Sequence, residues 1–160
     1  MSPILLPKHC VLVAALVLLS SAGVAAQDTA KLVTRADVEK VTGAKFDDGT
    51  QPMAGQVAFQ QKDGNLQVSV DIEKPDAGST VRSWEATIKN MSPSTRVDTV
   101  PGIGRDAIFY STRKDSGALS ADFDKPRVQL RVAVAGAATT AQAKQIVIDL
   151  ARIVGPRVGK

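Results

Sequence analysis

The sequence predicts an α+β domain built on an antiparallel sheet with three helices, in the order α-β-β-α-β-β-β-β-α. Three observations lead there. Residues 66–73 and 127–134 alternate apolar and polar side chains without a break, the period of a half-buried strand. Three other stretches repeat apolar residues at helical spacing. Short, turn-rich connectors join the strands, which implies antiparallel pairing rather than a wound parallel sheet.

Taken in order, the chain opens on a leader. Lys8 supplies a basic n-region, residues 11–19 (VLVAALVLL) an apolar h-region, and Val24-Ala25-Ala26 small residues at a cleavage site. These are the three parts of a secretory signal. The uncharged stretch of residues 11–26 is shorter than the ~20 residues a membrane-spanning helix needs. The expectation is a cleaved signal peptide over residues 1–26 and one α+β domain over residues 27–160. The product is then periplasmic or secreted, with no transmembrane span. His9 and Cys10 are the only histidine and cysteine in the chain, and both leave with the leader. A mature chain without them has no Ser-His-Asp triad, Cys-His nucleophile, disulfide, or histidine or thiolate metal site.

In the domain itself, Thr34 followed by Asp37 reads as an N-cap close to a capping box. That helix turns Val38 and Val41 inward and stops at Gly43. Val57 and Phe59 alternate with polar neighbours, and Asp63-Gly64 predicts a hairpin with a type I′ turn. Leu66, Val68, Val70 and Ile72 then face the core, and the order stands with or without a short strand around Phe46. A second helix carries Val81, Trp84 and Ile88 on one face and is bounded by Pro93. Four strands follow, over residues 96–100, 106–112, 119–123 and 127–134. In the last of them Val128, Leu130, Val132 and Val134 point inward while Arg127, Gln129 and Arg131 point outward. Thr139 or Thr140 caps a final helix whose Ala143, Ile146, Val147, Leu150 and Val154 form one stripe, ended by Gly155-Pro156.

Several residue patterns carry the chemistry that remains. Residues 102–107 (GIGRDA) match a dinucleotide fingerprint, but that motif needs a helix after the glycines, and IFYST predicts a strand. Asp122 with Asp124, and the turn Asp47-Asp48-Gly49, offer oxygen ligands for a hard cation, but neither supplies enough of them, so they read as solvated acids. Glu85 beside Trp84 and Asp149 beside Leu150 lie on the wet faces of helices. No residue takes a catalytic role, and no cofactor or metal is called for. Charge is uneven: residues 27–94 carry 8 basic and 10 acidic side chains, residues 95–160 carry 11 and 6. Arg127, Arg131, Arg113 and Lys114 are therefore the candidate anion-binding residues, suited to an anionic envelope component. One Trp, one Tyr and four Phe are too few for a base-stacking platform, so nucleic acid is not the expected partner.

Residues 34–43 (TRADVEKVTG), the turn at residues 100–107 (VPGIGRDA) and the closing helix at residues 141–154 resemble small secreted bacterial domains of unknown function. Such domains open on a Leu/Thr-x-x-Asp-Val helix and place a Gly-Ile/Leu-Gly-Asp-x-Ala turn mid-chain. Their plan is similar to PsbP-type domains, which the resemblance implies is an antiparallel sheet with helices packed on it. Arg105 stands where that turn has aspartate. The resemblance implies no catalytic residues. The functional expectation is an exported, non-enzymatic binding or interaction module of the bacterial envelope. The alternatives are an enzyme using carboxylate, lysine or tyrosine chemistry with a hard divalent cation, and a subunit of an envelope assembly.

Overall fold

A computed structural model describes residues 28–158; the expected leader, with His9 and Cys10, lies outside the described residues. Six strands form one antiparallel sheet: β1 (Gln56–Gln60), β2 (Gln67–Glu73), β3 (Arg96–Thr99), β4 (Asp106–Ser111), β5 (Ser116–Asp124) and β6 (Arg127–Ala135). Their spatial order is β1-β2-β6-β5-β4-β3. Among the described residues the helices are α1 (Thr29–Leu32), α2 (Arg35–Thr42), α3 (Val81–Met91) and α4 (Thr140–Val154), and a 3₁₀ turn over Gly155–Arg157 follows α4. The α+β class and the antiparallel sheet agree with the sequence.

The helix count does not. Four residues of α1 precede the expected first helix, too few to show a 3.6-residue period or a cap. Tertiary contact holds them instead: the Thr29 hydroxyl donates to the Gly55 carbonyl at 2.6 Å, and Val33 behind them is buried. In place of a short strand near Phe46 stand two isolated bridges, Phe46 to Gln61 and Thr50 to Ala58, which line the outer edge of β1. The β1–β2 hairpin forms, but without a type I′ turn, since Gly64 does not take a positive φ. Gln61 and Leu66 close a four-residue loop instead. The Gln61 amide donates to the Leu66 carbonyl at 2.9 Å, and the Leu66 amide donates back to the Gln61 side chain at 3.2 Å.

Strand alternation decides what the sheet's first face buries. Val68, Val70, Ile72, Phe109, Leu119, Leu130, Val132 and Val134 meet the Ala143, Ile146, Val147, Leu150 and Val154 stripe of α4 in the main core. Gly117 lies in this layer because a Cβ there would meet the Phe109 ring at 2.5 Å. On the opposite face α3 packs on β4 and β5 through a smaller cluster of Val81, Ile88, Ile108, Tyr110 and Ala118. Trp84 faces the core less than its spacing predicts. It is 38% exposed and rests edge-on against Tyr110, with ring centroids 6.5 Å apart.

The capping box at α2 forms as read, with Thr34 and Asp37 bonded reciprocally. Asp37 also pairs with Arg157 through two hydrogen bonds, at 2.6 and 3.0 Å, which ties the last turn to α2. The Arg157 hydrogen bonds hold the Asp37 carboxyl down at about 2 from an ordinary 3.8, against an opposing push from burial. A depressed carboxyl stabilises the fold above its unfolded value and loses that contribution as pH falls through its folded value. The pair should therefore weaken between pH 3.8 and about 2. With the Arg157 side chain 40% exposed, solvent screening leaves a contribution of about 1 kcal/mol. Arg157 also donates to the Leu32 carbonyl at 2.8 Å, a bond that does not titrate. Arg157→Ala should therefore cost about 1 kcal/mol more at pH 6 than near pH 2, measured by urea unfolding across the acid range. An equal loss at both pH values would mean that the guanidinium acts only through the Leu32 carbonyl and packing.

Candidate functional site

The charged chemistry of the domain collects at the end of the sheet where the β3–β4 and β5–β6 turns lie. Asp122 is only 4% exposed, so it is not the solvated acid the sequence suggests. From β5 its carboxylate accepts from the Val81 amide at the start of α3 (2.9 Å), from the Gln129 side chain on β6 (3.0 Å) and from Arg105 (3.2 Å). Arg105 also bonds Asp124 at 2.6 Å and lies 3.4 Å from Asp106. Arg82 on α3 pairs with Asp106 at 3.1 Å and Glu85 at 3.3 Å, and Lys89 meets Glu85 at 2.7 Å. Asp122 and Asp124, read from sequence as solvated acids, both bond the Arg105 guanidinium. Among the described residues no three His, Cys, Asp or Glu side chains converge as a metal-ligand set. This network secures α3 to the sheet.

The GIGRDA segment is a turn entering β4, with positive φ at Gly102 and Gly104. The Arg105 amide donates to the Asp122 carbonyl at 2.8 Å. A strand follows the turn, as the sequence predicts.

The four candidate anion-binding residues do not form one cluster. Arg127 begins β6 and donates to the carbonyls of Asp76 and Ser79 at 3.3 and 3.5 Å, bracing the loop before α3. Arg113 and Lys114 lie in the β4–β5 turn, beside the far end of β6, where Ser116 pairs with Ala135. Eight residue steps of strand, about 26 Å, separate the two ends. Arg113 lies 3.6 Å from Asp115, and the Lys114 carbonyl accepts from Thr140. Arg131 stands between the ends, in register with Asp71 and Ser120. It makes no ion-pair contact among the described residues, only a longer-range attraction to Asp71. Burial pushes the Asp71 carboxyl up, with Arg131 and Gln56 pulling the other way.

Arg131 belongs to the half of the second sheet face that α3 leaves bare. There Ala58, Ser69, Ala133 and Ala118 stand opposite one another across β1, β2, β6 and β5. This row of small side chains floors a hollow of about 470 Å³, walled by Asp47, Asp48 and Thr50 and flanked by Gln60 and Gln67. A second hollow of about 170 Å³ shares Ala133 and Val134 with it and continues to Ser116, Arg131 and Tyr110. Together they make a trough running across the strands toward α3. Tyr110 is 8% exposed, and its buried hydroxyl has no partner among the described residues. Sequence alternation places Ser69 and Arg131 on the outer face. It does not say that Ala58, Ser69, Ala133 and Ala118 fall in register, because register belongs to pairs of strands.

No protein-family model, curated protein or solved structure matches this chain.

Proposed function

We propose that this chain is an exported, non-enzymatic binding module of the bacterial envelope, of the kind its three motifs resemble, and that the trough is its binding surface. One observation carries the reading. One face of the sheet is fully used for the core, while the other is covered only over β4 and β5. A hollow of about 470 Å³ floored by small side chains and edged by a few amides, hydroxyls and carboxylates suits a bound ligand better than a core. The polar groups at the opposite end are consumed by one another around Asp122, which leaves that end little to offer a ligand.

Amide chemical shifts of the purified protein test this with five probes: pentaalanine, a chitin tetramer, spermidine, heparin and phosphatidylglycerol vesicles. A binding probe should move the amides of Ala58, Ser69 and Ala133. Ser69→Trp, which fills the floor at a partly exposed site, should abolish those shifts and keep the melting temperature within a few degrees. Shifts gathered on the α2–α4 side, or none with any probe, would overturn the reading.

A further inference from the structure

Resting on that reading, we infer that the trough takes a short extended peptide, with its free amine at Asp47 and its free carboxylate at Arg131. The charges are segregated by position. The larger hollow is walled by two carboxylates and its lining contains no cation. The smaller one is lined by Arg131, and no carboxylate lines it. Asp48 is already paired with Arg35 at 2.8 Å, whereas Asp47 makes no ion pair among the described residues, and neither does Arg131. A polyamine would therefore leave the guanidinium with only its longer-range attraction to Asp71, and a polyanion would meet carboxylates at the other end.

Size and floor point the same way. The Asp47 amide bonds the Gln60 carbonyl on the outer side of β1, so Asp47 and Arg131 lie three strand spacings apart across the sheet. That is about 14 Å across the strands. Asp47 lies level with Ala135, four steps along β6 from Arg131, so the diagonal is about 19 Å, which an extended chain of five or six residues spans. Gln60 and Gln67 can both donate and accept, as a peptide backbone requires. The alanine and serine floor admits a flat backbone with small side chains and offers no aromatic face for a sugar ring. At the Arg131 end the unpartnered Tyr110 hydroxyl is a further polar group beside the place assigned to the carboxylate.

Titration with pentaalanine, N-acetyl-pentaalanine and pentaalanine amide separates the two ends, followed by the Ala133 amide shift and by the fluorescence of Trp84, the only tryptophan. Blocking either end should weaken binding about fivefold, which is close to 1 kcal/mol. Asp47→Asn should weaken the free peptide by the same factor and leave the N-acetyl peptide unchanged. Arg131→Gln should do so for the free peptide and leave the amide unchanged. Both side chains are exposed, so each variant should fold. Equal binding by free and blocked peptides, or no response to millimolar pentaalanine, overturns the peptide assignment. If another of the five probes still moves the trough amides, the binding surface stands and only its ligand class falls. If none does, both fall.

Discussion

Asp122→Ala should destabilise the domain by about 3–5 kcal/mol, the cost of removing one partner from a buried charged network. Three donors lose their acceptor together: the Val81 amide, the Gln129 side chain and the Arg105 guanidinium. The Val81 amide belongs to the first turn of α3, where helix geometry provides no internal acceptor. The α3 side of the sheet should therefore loosen first, and Trp84 emission should shift to the red before the main transition in urea. Asp122→Asn keeps an oxygen for the Val81 amide but gives up the charge facing Arg105 and turns an amide nitrogen toward Gln129, whose side chain must flip to present its oxygen, so about half the loss is expected. A loss below 1 kcal/mol for the alanine variant would show that the Thr80–Ser83 capping box and the apolar cluster hold α3 unaided.

Gly104→Ala should cost about 3 kcal/mol, while Gly102→Ala two positions earlier should cost about 1–2. Both glycines take positive φ, +59° at Gly104 and +80° at Gly102, which a side chain disfavours by about 1–2 kcal/mol. Only Gly104 also lies against a neighbour, since a Cβ there would run into the Asp122 backbone carbonyl, whereas a Cβ at Gly102 meets nothing within 4 Å. The urea midpoint at constant slope measures the difference. Equal losses would mean that the turn relaxes away from β5 without penalty. The two glycines of this motif thus serve a close hairpin and not a phosphate.

The two predictions concern one corner of the molecule, and the sequence reading treated it unevenly. Residues 102–107 were legible as a turn because IFYST after them excludes a helix. Asp122 was not legible, since an acid in a strand sequence looks solvated unless its partners are known. Those partners come from α3, the β3–β4 turn and β6, at separations of 41, 17 and 7 residues. An arginine between two glycines and an aspartate at residues 102–106 was the available signal. Once three aspartates are placed around it, the arginine is the residue that satisfies them. The helical face of α3 was legible only in part, because a period assigns Trp84 to the apolar side without saying how far the sheet extends beneath it.

By itself the sequence determined the α+β class, the six strands, the capped α2 and α4, and which side chains of β2 and β6 turn inward. These are local properties: a period of 2 or 3.6, a hydroxyl before a helix, a glycine or proline after it. It also listed the outward arginines, without their distances. Only the tertiary structure decided that Arg127 and Arg113 lie at opposite ends of the sheet, that α1 forms at all, and that Asp122 is a buried anchor. It alone decided that Ala58, Ser69, Ala133 and Ala118 align into a trough. Strand register and the placing of α3 over one half of a face depend on contacts between segments far apart in the chain, whose free energies no local pattern encodes.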